Sequence, residues 1–290
     1  SCSFQFTSIY RRRDATIISY QHAFAHFIKL MPDIKEPHQI SEGSINEFLK
    51  KLQIRERIVG KGTVKVGVKD STIATYWSKL NTFFVWLHVN EHIDKNPLDH
   101  IQKPREIYDN KPALRKEDVE KLYSSTILHS KNALIQRRDT AIISTLFFTG
   151  VRKTELISLQ VRDVDFKKGV ITVRGETSKS KRTREIPIHP TLSNHLKDYL
   201  QERKNYKTNM LFVSSLRDEG LTKHGIKHWV KRMIRQSGVK FHLHQMRHTF
   251  ACNLARNDIS LAKLQKIMGH TDLRMTERYL RSLGVSDLVS

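Results

Sequence analysis

Cysteine is nearly missing from this chain. Two occur in 290 residues, Cys2 and Cys252, which excludes a disulfide framework and any zinc site built on several thiolates. A reducing, intracellular setting is expected. Long apolar runs are also missing: 141–148, among the longest, falls far below the roughly 20 residues that a membrane span needs. No basic-then-apolar leader opens the chain, so a soluble protein of the cytoplasm, with no membrane partner, is expected. Neither a repeat of fixed period nor a low-complexity tract occurs. Negative charge is scarce too, with 29 Asp and Glu against 51 Lys and Arg, a formal charge of +22 and a pI of about 10.0.

What is present fits a folded protein with a polyanionic partner. Apolar residues make up 38% of the sequence, and 33.9 kDa is enough for one large domain or two ordinary ones. Through residue 105 there are 16 basic and 10 acidic residues, and beyond it 35 and 19. Both parts are therefore cationic, as a protein gripping nucleic acid on two sides would be.

Apolar spacing in the first hundred residues is helical. Ile17, Tyr20, Phe24, Phe27 and Ile28 form one face, and Ile45, Phe48, Leu49 and Leu52 another. Ser44 and Glu47 have the spacing of a capping box at the start of the second helix. Ile73, Tyr76, Trp77, Leu80, Phe83, Phe84 and Leu87 define a third helix, its start marked by Asp70 and Ser71. Between the second and third, 60–69 alternates valine with lysine or glycine and reads as a short basic hairpin or loop, with Lys65 and Lys69 as candidate DNA contacts. Prolines and basic residues without amphipathic period mark 103–113 as a linker.

Beyond the linker, helices are expected at 116–122, 139–148, 192–202, 223–237, 244–257 and 261–268. Segments 169–173 (GVITV) and 184–188 (REIPI) suit a β-hairpin with a basic tip. The fold class is thus mainly α with a small β-hairpin or sheet (α+β), in two domains, 1–104 and 105–290. The helix at 223–237 carries Lys227, Lys231 and Arg235 opposite Ile226, Val230, Met233 and Ile234, so its basic stripe can follow phosphates while its apolar face stays in the core.

Four strings carry candidate chemistry. In Thr149-Gly150-Val151-Arg152-Lys153-Thr154-Glu155-Leu156 an arginine follows an apolar run and a glycine at the start of a helix, a place suited to anions; the plainer alternative is a surface arginine paired with Glu155. The turn Thr177-Ser178-Lys179-Ser180-Lys181-Arg182-Thr183-Arg184 offers lysines that can swing over a phosphate and protonate a leaving oxygen, or is merely solvated. In His244-Gln245-Met246-Arg247-His248, His244 and Arg247 share a helix face and can address one oxyanion. His244 and His248 are also spaced like metal ligands, but no carboxylate or thiol nearby in sequence completes a shell, so no metal is expected. Last, Gly269-His270 ends a helix, and Tyr279 follows nine residues after His270.

Together, TGVRKTEL, TSKSKRTREIPI, HQMRHTFA, MGHTD and TERYL resemble, in order and spacing, the active-site boxes of the tyrosine recombinases, the family of phage integrases and Xer recombinases. The resemblance covers about 105–280. STIATYWSKLNTFFVWL and KNPLDHIQKP make the first part similar to the family's helical core-binding domain. It implies that Tyr279 attacks a DNA phosphate, leaving a 3′-phosphotyrosine and a free 5′-hydroxyl without metal, ATP or other cofactor. Arg152 and Arg247 would bind the non-bridging oxygens, His244 would be the base, and Lys179 would protonate the leaving oxygen, with Lys181 as fallback. His270 would hydrogen-bond phosphate or nucleophile, and Glu155 would orient Arg152 or the proton-transfer network. Lys181, Arg182 and Arg184 of the turn join the candidate DNA contacts. The implied partners are double-stranded DNA with paired inverted half-sites and further copies of the chain, as dimer or tetramer on that DNA. Few residues precede the first helix, which favours a Xer-like two-domain layout, and 280–290 is short for the tail that docks on a neighbouring subunit. Two rivals remain, a type IB topoisomerase using similar residues and a non-catalytic DNA-binding module.

Overall fold

The computed structural model describes residues 14–60, 62–105, 112–178, 180–215, 217–257, 259–273 and 275–277. The chain divides into two compact units, Ser1–Asp109 and Asn110–Ser290. Lys179 and Tyr279 lie outside the described residues.

The first unit consists of α1 (Asp14–Leu30), α2 (Glu42–Ile54), a hairpin of β1 (Glu56–Val59) and β2 (Thr63–Val66), and α3 (Asp70–Val89). Phe27, Ile45, Phe48, Leu52, Leu80, Phe84 and Leu87 are buried together, and each such side chain contributes roughly 1.5–3 kcal/mol. Phe27 and Phe48 meet edge to face, centroids 5.0 Å apart. The cap of α2 differs from expectation: Ser41 Oγ accepts from Ser44 N, and Ser44 Oγ accepts from Ser41 N. Ser41 is the residue with extended backbone, the geometry that frees a hydroxyl to bond back, while Glu47 pairs with Lys51 at 2.7 Å. Similarly Lys69, not Asp70, is the N-cap of α3; Asp70 sits in the first turn, where a carboxylate complements the helix dipole. The hairpin begins before the expected stretch and pairs Ile58 with Val64. Lys65 and Lys69 are exposed.

The second unit packs α4 (Lys116–Leu128), α5 (Ala133–Thr149), α6 (Lys153–Ser158), α7 (Pro190–Glu202), α8 (Lys223–Ser237), α9 (Leu243–Arg256) and α10 (Leu261–Met268) with a three-stranded antiparallel sheet. Its strands are β3 (Val164–Asp165), β4 (Val170–Val173) and β5 (Arg184–Pro187), in that order. Mainly helical structure with small sheets is what the sequence led us to expect. Strand β3 was not foreseen, since two residues carry no readable period. Helix α5 starts earlier than expected because Asn132 Oδ1 accepts from Ile135 N and caps it. Ile142, Leu146, Leu156, Ile171, Leu192, Leu196 and Ile226 lie in one apolar core.

Candidate active site

Two left-handed glycines organise the site. Gly150 closes α5 at φ 57° and Gly269 closes α10 at φ 62°, backbone that glycine adopts without steric cost. A helix C-terminus exposes carbonyls bearing partial negative charge, and here they hold guanidinium groups. Arg247, on α9 and 2% exposed, donates to Gly150 O at 2.6 Å and to Met268 O. Arg152, the N-cap of α6, reaches Gly269 O in a long bond of 3.4 Å. Gly150 is also pinned sterically, because a Cβ there would lie 2.3 Å from the Phe250 ring.

Glu155 is the anionic hub. Its carboxylate accepts from Arg152 N (2.8 Å) and Nη1 (3.0 Å) and from Arg184 Nη1 (3.1 Å) and Nη2 (2.8 Å). Burial pushes its pKa up, but the hydrogen bonds and charges of Arg184 and then Arg152 outweigh that and hold it at about 2. Arg184, expected among the DNA contacts of the basic turn, is therefore placed differently: its side chain shares the inward parity of Ile186 on β5 and its guanidinium is buried against Glu155 and Ile267 O.

His270 Nε2 lies 3.0 Å from Arg247 Nη2, and its Nδ1 lies 2.8 Å from Thr276 Oγ1. Arginine can only donate, so Nε2 accepts and Nδ1 carries the proton. Burial, then the charges of Arg247, Arg152, Arg184 and His244, lower its pKa to about 3; the ring is neutral. His244, one turn before Arg247 on α9, is exposed. Partial burial lowers its pKa, and Arg247, His242 and Arg152 act in the same direction. His248 instead packs in the interior, 3.6 Å from Cys252 Sγ. Among the described residues no group of three His, Cys, Asp or Glu is arranged to hold a metal, and no helix is long and apolar enough to cross a membrane.

Arg152, Glu155, His244, Arg247 and His270 thus share one electrostatic neighbourhood, to which the structure adds Arg184 and Thr276. Beside it, a cavity of about 810 Å³ between β5 and α10 is lined in part by Arg182, Arg184, Lys266 and His270. Lys181 and Arg182 are exposed on the turn. Elsewhere on the same unit, Lys227, Lys231 and Arg235 are exposed on α8, and the last two line a cavity of about 570 Å³ with Arg138, Arg232 and His224. Arg232 and Arg138 both bond the buried Asp139, tying α8 to α5. Burial raises the pKa of Asp139 against the opposing pull of those arginines.

Paired guanidiniums beside imidazoles offer fixed donors of the kind that suits the oxygens of an anion such as a phosphate ester. Residues 112–284 match the phage integrase family, and the chain belongs to that family. It is 28% identical over 275 residues to the tyrosine recombinase XerD of Listeria monocytogenes, covering 91% of this chain and 86% of that protein. A tyrosine recombinase of Thermosipho africanus is 28% identical over 272 residues, covering 93% and 89%. Among solved structures, the Tn1549 transposon integrase in complex with circular intermediate DNA shares the fold at TM-score 0.76, with 21% identity and coverage of 96% and 93%. The XerH recombinase bound to its palindromic difH substrate gives a TM-score of 0.74, with 24% identity and coverage of 92% and 76%.

Proposed function

We propose that this protein is a site-specific DNA recombinase of the cytoplasm that cuts and rejoins duplex DNA through a covalent 3′-phosphotyrosine at Tyr279. The observation that carries the proposal is the clustering of Arg152, Arg247, His244 and His270 in one electrostatic neighbourhood, braced by Glu155 and the two glycine carbonyls. Residues 1–104 act as the core-binding domain and 105–290 as the catalytic one.

Arg152 and Arg247 bind the non-bridging oxygens as the phosphoryl centre gathers charge. Their anchors are protein groups, the carbonyls of Gly269, Gly150 and Met268, which hold the guanidiniums in position for the reaction. Tyrosine, with an ordinary pKa of about 10, needs a base. His244 suits that role, because its lowered pKa keeps the ring unprotonated at neutral pH. The phenolic oxygen bonds to phosphorus and the 5′-oxygen departs, taking a proton from Lys179 or, failing that, Lys181. Neutral His270, protonated on Nδ1, accepts from Arg247 and so orients that guanidinium. The protein–DNA bond keeps the phosphodiester energy, and a 5′-hydroxyl from a second duplex reverses the attack. The XerH relative is bound to a palindromic substrate, and a lambda integrase structure is a dimer on a core site. These support paired inverted half-sites and self-association on DNA here.

The test is a nicked suicide duplex bearing the site. Wild type should form a covalent adduct and exchange two marked sites; Tyr279→Phe should bind the same DNA and form no adduct. Binding without any wild-type adduct would defeat the proposal.

A further inference from the structure

Arg184 has no direct part in the steps above. Its side chain enters the interior from β5 at 7% exposure and meets Glu155 at 1%. The contact is a two-pronged fork, 3.1 and 2.8 Å, the arrangement in which arginine and carboxylate fix each other's plane. The third prong, Nε, donates to Ile267 O at 2.8 Å. The guanidinium also lies against the α10 cap, where a Cβ on Gly269 would come within 3.0 Å of Nη1. One side chain therefore joins β5, α6 and the end of α10, the element whose Gly269 carbonyl receives Arg152.

We infer that Arg184 is a positioning residue for strand cleavage: it occupies and neutralises Glu155, so that Arg152 is held by that carboxylate without being consumed as its only counter-ion. The argument is one of charge. Glu155 with Arg152 alone sums to zero, whereas Glu155 with both arginines leaves one positive charge for an anionic substrate. Without Arg184, the buried carboxylate keeps a single counter-ion, takes up a proton and releases Arg152. That misplaces the guanidinium, and small misplacements of a positioning group cost about a hundredfold in rate. The groups that face Glu155 are Arg152 at the start of α6 and Arg184 from β5; His270, after α10, feels both arginines. The inference rests on the proposed recombinase reading and deepens it.

Single-turnover cleavage of the suicide duplex and affinity for the intact site are measured for wild type, Arg184→Lys, Arg184→Met and Arg184→Met with Glu155→Gln. Affinity should change less than threefold throughout. Cleavage should fall about tenfold in the lysine variant, which keeps charge without the fork, and about a hundredfold in the methionine variant. Removing one partner of a buried pair destabilises, so the double variant should regain thermal stability but not cleavage. A merely structural arginine would regain both, and that result overturns the inference, as does a wild-type cleavage rate in Arg184→Met or a loss of affinity parallel to the loss of cleavage. Infrared difference spectra of the carboxyl stretch supply a readout independent of cleavage: between pH 7 and 5 Glu155 should stay ionised in wild type and take up a proton in Arg184→Met. No such uptake overturns the inference even if wild type proves inactive, whereas an inactive wild type with the uptake seen defeats only the recombinase proposal.

Discussion

The two units bury different kinds of side chain. Among the described residues, the first encloses a single polar group below 9% exposure, Asn96, within a core of aromatic and aliphatic residues. The second encloses Arg138, Asp139, Glu155, Asp163, Arg184, Arg203, Arg247 and His270. Burying charge is costly unless every charge is paired and hydrogen-bonded, so apolar packing alone does not account for this interior. In the second unit Glu155, Arg184, Arg247 and His270 hold the site, Arg138 and Asp139 tie the basic helix α8 to α5, and Asp163 and Arg203 pair with Arg174 and the Thr208 carbonyl; in the first, packing has only to hold a shape.

The contrast can be broken in order of expected effect. Phe48→Ala, in the heart of the first unit, should cost about 3–5 kcal/mol in denaturant unfolding of that unit; a loss below 1 kcal/mol would mean that the aromatic cluster is not its main support. Arg247→Met should slow cleavage about 10²–10³-fold, as expected for losing one oxyanion donor, and should also destabilise the second unit by stranding the Gly150 and Met268 carbonyls. Retained cleavage in single turnover would remove Arg247 from the site.

Acid should separate the two units. His270 has its pKa lowered to about 3, so the unfolded chain takes up a proton below about 6.5 that the folded chain refuses. Its contribution is fully present above that value and fades as pH falls toward 3. Glu155, at about 2 in the fold against an ordinary 4.5, contributes fully above 4.5 and loses that contribution as pH falls toward 2. Of the two, only His270 loses its contribution between pH 7 and 5, so protection factors, in which exchange is corrected for its own slowing in acid, should fall more in the second unit than in the first over that range; an equal fall would contradict the pairing described. The smallest effect belongs to Thr276→Val. It removes the acceptor for His270 Nδ1–H, should cost about 1 kcal/mol and slow cleavage several-fold, and Thr276→Ser should restore both.

Periodicity made much of the fold readable. The bounds of α8 and α10 coincide with the expected spans because apolar residues recur along one face up to Gly238 and Gly269, which stop each helix. The ends of α2 and α5 were misread, since Ser41 and Asn132 lie outside the apolar pattern that located those helices. In the site, the boxes pointed to Arg152, Glu155, His244, Arg247 and His270, which the fold brings near one another, whereas Arg184, expected as a DNA contact of the turn, is buried against Glu155. A signal existed: in REIPI it shares parity with Ile186, whose face is buried, and a strand cannot turn one without the other. Asp139 left no such trace. Its partner Arg232 comes from α8, and nothing in spacing links positions so distant.

The seat of Phe250 on Gly150 has an evolutionary reading. With left-handed backbone at 150 and an aromatic ring directly against it, a side chain at that position could enter a lineage only after the ring at 250 had shrunk and the helix ending had been remodelled. Across many descendants, these two positions should therefore change in concert or not at all. The TG of one box and the Phe of another form, in effect, a single inherited character.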